Sequence, residues 1–529
     1  MMTKTGMLIV TNPNKFVRYI PRIQREIKNT LYIQFLTNWQ YSCLKNNTLN
    51  STKLYGPMFS KTVLSLYKNS INMSNIDIRV LLSSIRNSNI ATINTKKRIE
   101  VVYFDDVLNT DEMQGFLKQC VTNRSSDCQT VSLGNQEDSS VDEKLESFGE
   151  MYDNVVLGGT FDRLHAGHKI LLSEAVLRCS KKLTVGVTNT EMLKTKKLWE
   201  LIEPCDIRMN NVKDFLEDVE PTLEYNIVAI GDMFGPTKDD PTFQLLVVSS
   251  ETVRGGDKVN EVRLEKGLKP LIVHSVDLLL NPNLEDEIEE DKISSSTDRI
   301  RLLGTLLRQP EEKNDIPEWP YIIGLIGGIA SGKSSVCKRL EALGAAHINC
   351  DLIAHNIYKK GTPIYDLVVS TFGTNILDNQ QEISRKALAD IVFKEKEART
   401  KLNNIMWPAI LEKSKEMAME FFKLGKKIVI LEAAVLLEAG WIKHCHEIWA
   451  CIIPPEEAIK RLCIRNGLSE EEAKARIASQ PSNSEHVENA NLVFCTYWKP
   501  QFTQKQVEKA WKELNVRIDL NSVEINASV

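Results

Sequence analysis

No stretch of about 18 apolar residues runs without a charge in this 529-residue chain, so no membrane-spanning helix is expected. A basic excess is missing too. The formal net charge of −4 and pI near 6.2 argue against a protein that coats nucleic acid, and leave local basic pockets for small anions. No C-x-x-C pair occurs among the 11 cysteines, and the one close Cys/His grouping is His444, Cys445 and His446. This scatter speaks against a disulfide framework or a structural zinc module, and fits a reduced, cytoplasmic type of compartment.

What is present is the mixture of a folded globular protein, 42% apolar and 26% charged. The length exceeds what one core supports, so three units are expected. Residues 7–11 (MLIVT) read as a strand. Phe16, Ile20, Ile23 and Ile27 then recur at helical spacing, with Arg18, Arg22 and Arg25 on other faces. Six basic residues against the single acid Glu26 in the first thirty positions resemble an organelle-targeting peptide, which would imply peripheral contact with a mitochondrial membrane. Pro13 and the preceding strand suit an ordinary βα start equally. Strand-like runs at 31–36, 77–82 and 99–104 complete a small α/β region over 1–120 that carries no chemical motif. Residues 121–150, rich in Ser, Asn, Gln, Asp and Glu, read as a flexible linker. A polar run at 285–291 and the proline-containing stretch 309–320 follow. The latter is the expected boundary between catalytic domains at 151–308 and 321–529.

The first chemical signal is VVLGGTFDRLHAGHKILL at 155–172. An apolar strand ends at Gly158-Gly159 and a helix begins near Gly167-His168. Glycines let backbone approach a phosphate, and a helix N-terminus offers free N–H groups to an anion. His165 and His168, three apart, can aim imidazoles at one phosphate group. Two histidines near a turn, taken alone, do no more than satisfy local backbone groups. With Thr160 and Phe161, however, the whole pattern resembles the HIGH-type nucleotidyltransferase superfamily.

That superfamily's second signature, I-S-S-[ST]-x-x-R, is matched by Ile293-Ser294-Ser295-Ser296-Thr297-Asp298-Arg299. By itself such a serine run is a loop or a helix cap. Strands at 183–187, 227–230 and 245–248 supply the intervening parallel sheet. Lys194, Lys196 and Lys197 follow the second strand, where the family places a lysine on the transferred phosphate. Arg254-Gly255-Gly256 resembles its ATP-holding Arg-Gly element. Asp232-Met233-Phe234-Gly235-Pro236 and the residues 249–256 resemble eukaryotic and archaeal phosphopantetheine adenylyltransferases in particular. The resemblance implies attack by the phosphate of 4′-phosphopantetheine on the α-phosphorus of ATP, with His168 and Lys197 stabilising the transition state and Mg²⁺ neutralising the triphosphate.

The second signal is Gly327-Gly328-Ile329-Ala330-Ser331-Gly332-Lys333-Ser334, directly after the apolar run 322–326 and continuing through Ser335 into a helix. This is G-x-x-x-x-G-K-S between strand and helix, the context the motif requires. Backbone N–H groups wrap the β-phosphate, Lys333 reaches the β- and γ-phosphates, and the Ser334 hydroxyl ligates Mg²⁺. His347-Ile348-Asn349-Cys350-Asp351 reads as a strand ending beside the loop, with Asp351 placed to take a proton from a hydroxyl, or else to cap a helix. Arg461 and Arg465 lie four apart in a helix beginning near Pro455, which suits a lid over ATP phosphates or, less pointedly, surface ion pairing. Ser469 and Glu472 form a capping box.

The order of loop, Asp351, Phe372-Gly373 and the run from Glu432 to Glu438 resembles dephospho-coenzyme A kinase. Departures are Asn349 where the family shows a first Asp, Trp407-Pro408 for His-Pro, and Ala434 for Pro. Both signatures in one chain resemble the bifunctional coenzyme A synthases of animals: an α/β architecture with a Rossmann-like parallel sheet, a P-loop kinase domain, and substrates ATP, 4′-phosphopantetheine and dephospho-CoA. Two other readings are a different adenylyltransferase–nucleotide kinase fusion, and a scaffold with a degenerate site. A basic tRNA-binding domain and a lysine-rich second signature, which an aminoacyl-tRNA synthetase would need, are absent.

Overall fold

The computed structural model describes residues 4–11, 13, 16–36, 40, 56–73, 75–87, 90–134 and 150–527. The chain divides into two compact units, Met1–Asp298 and Arg299–Val529. Among the described residues three five-stranded sheets carry them, two in the first unit and one in the second, and the strands within each sheet pair in parallel. Parallel sheets are covered on both faces, which is why strands such as GMLIV and EIWACI are apolar or small almost throughout and fully buried.

The first sheet contains β1 (Gly6–Val10), β2 (Thr30–Phe35), β3 (Asp77–Leu81), β4 (Ile99–Phe104) and β5 (Arg124–Ser132), in the order β3-β2-β1-β4-β5. The basic N-terminal segment thus supplies a buried central strand and the helix Phe16–Glu26, whose Phe16, Tyr19, Ile20 and Ile23 face the core. No helix among the described residues is long and apolar enough to cross a membrane. One expectation is corrected here. Residues 121–150 are not all linker, because Arg124–Ser132 pairs with β4 as an edge strand. An edge strand tolerates the Ser, Asp and Gln content that suggested disorder, since one side of it faces water. Residues 135–149 of that linker lie outside the described residues.

The second sheet contains β6 (Tyr152–Gly159), β7 (Cys179–Thr188), β8 (Glu224–Ile230), β9 (Leu245–Ser249) and β10 (Ile272–Val276), ordered β10-β9-β6-β7-β8. The second unit contains β11 (Tyr321–Ile326), β12 (Ala346–Asn349), β13 (Ile428–Glu432), β14 (Glu447–Ile452) and β15 (Leu492–Cys495), ordered β12-β13-β11-β14-β15.

The boundary expected at 309–320 falls earlier, between Asp298 and Arg299. Gly304 donates its N–H to Val493 O at 2.9 Å, and Lys313 Nζ reaches the carbonyls of Ile442 and Cys445 at 2.7 and 2.6 Å. The prolines at 309–320 therefore mark a segment fastened to the second unit by polar contacts, which composition does not reveal.

Candidate active sites

In the first unit, β6 delivers Gly158 and Gly159 to the carboxyl edge of the sheet, where ligands bind in open α/β folds. A Cβ on Gly159 would meet the Phe161 ring at 3.0 Å. Phe161 is buried and has φ +52°, so the chain turns sharply there before the helix Ala166–Arg178. His165 caps that helix: its Nδ1 accepts the His168 N–H at 3.4 Å. The two imidazoles stack, with ring centroids 3.8 Å apart and an 18° interplanar angle. Gly167 gives this stacking room, since a Cβ there would sit 3.2 Å from the His165 ring and make it shift slightly.

The second signature meets the first at this point. Ser295 Oγ donates to Asp162 O at 2.9 Å and lies 3.4 Å from His165 Nε2. With Nδ1 accepting and Ser295's proton already used, neutral His165 carries its proton on Nε2. Ser294 is the cap that a serine run suggests, its hydroxyl accepting the Thr297 N–H at 3.2 Å, at the head of the helix Ser295–Leu302. Arg299, on the same helix, is 1% exposed and belongs to the second unit.

The other expected residues are less drawn in. Lys194 pairs with Glu191 at 3.0 Å, and both Lys194 and Lys197 are exposed on the loop after β7. Arg254 is exposed in the first turn of the helix Val253–Glu265. Gly255 leaves open space where a Cβ would stand, whereas Gly256 packs against Val273.

Arg208 escaped the sequence reading. It is fully buried and donates to the carbonyls of Glu203, Thr160 and Thr188 at 2.8, 2.6 and 2.7 Å, tying the ends of β6 and β7 together. Burial pushes its guanidinium below the usual value. No local motif announces it, because all three partners are main-chain atoms brought close by folding.

In the second unit the loop 327–332 joins β11 to the helix Lys333–Leu343. Gly327 has φ +145°, and a Cβ there would lie 2.3 Å from Cys451 O. Gly332 has φ +88° and closely abuts Thr496. Lys333 Nζ donates to Gly327 O and Gly328 O at 2.6 and 3.1 Å, and burial lowers its amine below the usual value. Ser331 is buried in the loop, and Ile329 N–H is held by Gln480 Oε1 at 2.7 Å. Ser335 lies on the helix with its hydroxyl bonded by Arg339 at 2.5 Å.

Glu432, at the end of β13, is the hub. Its Oε1 accepts the Ser334 hydroxyl at 2.7 Å, and its Oε2 lies 2.9 Å from His347 Nε2 and 3.2 Å from Asn349 Nδ2. Burial would raise this carboxyl, but His347 and Ser334 outweigh it and hold it below the ordinary range. Cys337 completes a Cys337–His347–Glu432 group whose ligand atoms lie within 4.8 Å, but burial keeps its thiol protonated. Ser334 and Glu432 offer the hard oxygen donors that suit Mg²⁺.

Two expectations change. Asp351 does not end a strand: β12 stops at Asn349, and Cys350 and Asp351 begin the helix Cys350–Ile357. Asn349 takes the capping role, accepting Leu352 N–H at 3.1 Å, so Asp351 is not spent on a cap. Burial and the Glu432 charge raise the Asp351 carboxyl, against the pull of Lys333 and His355. Arg461 and Arg465, four apart on one helix, make different contacts. Arg461 braces the loop through Ala330 O at 3.3 Å and Thr496 O at 2.6 Å, while Arg465 is exposed and bonds Asn466. The capping box at Ser469 and Glu472 is present.

Residues 321–496 match the family model for dephospho-CoA kinase, and residues 156–301 that for cytidylyltransferase-like domains. A dephospho-CoA kinase of Carboxydothermus hydrogenoformans is 40% identical over 186 residues, 35% of this chain and 90% of that protein. The chain belongs to the dephospho-CoA kinase family. A second family member, from Bacillus cereus, is 36% identical over 37% of this chain and 98% of its own length. A phosphopantetheine adenylyltransferase of Saccharomyces cerevisiae is 46% identical over 147 residues, 28% of this chain and 47% of that protein. The chain is thus a transferase that joins a kinase of this family to a nucleotidyltransferase domain on parallel α/β sheets.

Proposed function

We propose that the chain is a bifunctional coenzyme A synthase. The observation that carries this reading is the meeting of Ser295 with His165 in one unit and of Ser334 with Glu432 beside a phosphate-binding loop in the other. In the first reaction an oxygen of the 4′-phosphate attacks the α-phosphorus of ATP. The α–β bridging P–O bond breaks, giving dephospho-CoA and pyrophosphate. The attacking group is already anionic, so no protein nucleophile is needed and positioning with charge stabilisation carries the step. Loop amides after Gly159 and the His168 imidazole bind the phosphates, and Lys194, Lys197 and Arg254 supply positive charge from exposed positions.

In the second reaction Asp351 accepts the proton of the ribose 3′-hydroxyl as that oxygen attacks the γ-phosphorus of a second ATP, and ADP leaves. Amides of residues 327–332 and Lys333 bind the phosphates. Ser334, with Glu432 behind it, would hold Mg²⁺, which would supply charge neutralisation on the phosphate oxygens. The compartment is proposed to be cytoplasmic.

Product analysis with purified protein, ATP and 4′-phosphopantetheine tests the reading. Wild type should form CoA. Lys333→Ala should stop at dephospho-CoA, and His168→Ala should make neither product while still phosphorylating added dephospho-CoA. CoA formation by either variant refutes the role of that residue, and a wild type inert towards phosphopantetheine refutes the assignment.

A further inference from the structure

The first 134 residues match neither family domain, yet their sheet repeats the topology of the nucleotidyltransferase sheet. In each, the first strand is central, the second and third lie to one side, and the fourth and fifth to the other. The pairings β1–β2, β1–β4, β2–β3 and β4–β5 correspond to β6–β7, β6–β9, β7–β8 and β9–β10.

The chemistry is not repeated. Where β6 ends in Gly158-Gly159 with Thr160 after it, β1 ends in Ile9-Val10 with Thr11 after it, and the Thr11 N–H and hydroxyl are both bonded to the Asp105 carboxylate at 2.8 and 2.9 Å. The helix that follows begins Phe16-Val17-Arg18-Tyr19, with no counterpart of the histidine pair. The Thr11 amide and hydroxyl at this sheet edge are thus engaged by the protein's own carboxylate.

What this sheet does grip is the helix Ala166–Arg178, whose first turn carries His168. Lys169, the next residue, is buried, and its Nζ donates to Asp77 Oδ1 at 2.6 Å and Ile78 O at 3.0 Å at the start of β3. Asp77 is itself held by Arg79 at 2.8 Å and Lys97 at 3.3 Å. Arg79 continues to Asp214 and Asp218, and Tyr32 OH to Asp218 at 2.6 Å, on the helix Cys205–Val219 that also carries Arg208. Two turns along the histidine helix, Ser60 Oγ lies 3.1 Å from both Glu174 and Arg178. The histidine helix is therefore fixed near its start by β3 of the first sheet and further along by the helix Ser60–Asn69 that packs beside it.

We propose that the N-terminal sheet is a non-catalytic copy serving adenylyl transfer as a fixed scaffold, with Asp77 the positioning residue that sets the His168 helix through Lys169. A buried lysine demands its counter-charge, so the register of that helix is tied to one carboxylate. The inference rests on the adenylyltransferase reading of the His168 site.

The test is steady-state kinetics on full-length Asp77→Asn, Asp77→Glu and Ser60→Ala, reading pyrophosphate release from ATP and phosphopantetheine, and separately the phosphorylation of supplied dephospho-CoA. A shift of about 1 Å in a catalytic group costs on the order of a hundredfold, so Asp77→Asn should lower kcat for adenylyl transfer about ten- to fiftyfold. Its KM values should stay within about threefold and its kinase rate should be unchanged, as expected when only transition-state alignment is lost. Asp77→Glu, which keeps the charge, should recover most of the loss. Ser60→Ala, which leaves the buried charges paired, should cost roughly two- to fivefold.

Wild-type kcat in folded Asp77→Asn overturns the proposal. So does a loss that follows a lower unfolding temperature while Ser60→Ala keeps full activity. A wild type that releases no pyrophosphate would instead be the failure of the reaction assigned above.

Discussion

Replacing Glu432 by Gln probes how the kinase loop is prepared. The carboxylate accepts from Ser334 on one oxygen and faces His347 and Asn349 on the other. A glutamine keeps a single acceptor oxygen. Whichever way it turns, its NH₂ confronts Ser334 or the His347–Asn349 pair, and at least one charge-assisted bond is lost. Such a bond contributes roughly 1.5–3 kcal/mol, which at about 1.4 kcal/mol per decade predicts a fall in kinase kcat of roughly 10- to 150-fold. The assay is ADP formation from ATP and dephospho-CoA at saturating Mg²⁺, with pyrophosphate release from ATP and phosphopantetheine as the control on the same preparation. Adenylyl transfer should be unaltered. A kinase rate within about twofold of wild type would refute the argument that this carboxylate and its partners prepare the loop, since loss of even the weakest such bond exceeds that factor.

Gly327→Ala combines φ +145° with a Cβ 2.3 Å from Cys451 O. It should destabilise the second unit by about 2–4 kcal/mol in denaturant unfolding, and an unchanged midpoint would count against the loop geometry. The raised Asp351 carboxyl makes a pH prediction. The base works only when deprotonated, so kinase kcat should fall as pH drops through a value above that of an ordinary aspartate. A pH–rate profile whose acid limb survives in Asp351→Asn would assign the limb to another group.

Legibility in the sequence followed the range of the contacts involved. The strand–glycine–helix corners at Gly158-Gly159 and Gly327 to Ser334 were plain, because a phosphate-binding turn is built from consecutive residues. Strands 183–187, 227–230 and 245–248 were read from apolar runs, and each lies within a strand of the buried sheet. Arg124–Ser132 was not, since an edge strand need not be apolar. Glu432 and Arg208 were missed as site residues because their partners lie far off in sequence: 98 residues separate Glu432 from Ser334, and 48 separate Arg208 from Thr160. The bonds of Arg461 to Ala330 and Thr496 are likewise contacts that helical spacing cannot disclose. Asn349 illustrates the reverse case. It departs from the family pattern, and the structure gives it two local duties, capping a helix and steadying Glu432.

The hold of the Gly327 and Gly328 carbonyls on Lys333 bears on selectivity. On the kinase reading proposed above, nucleotide entry at this loop would be an exchange, in which the ammonium trades two main-chain oxygens for phosphoryl oxygens. A lone orthophosphate brings little that the peptide oxygens do not already give. On that reading a polyphosphate tail would both replace them and engage the neighbouring amides, so that a preference for longer anions would arise from the backbone itself, before any base or sugar is recognised.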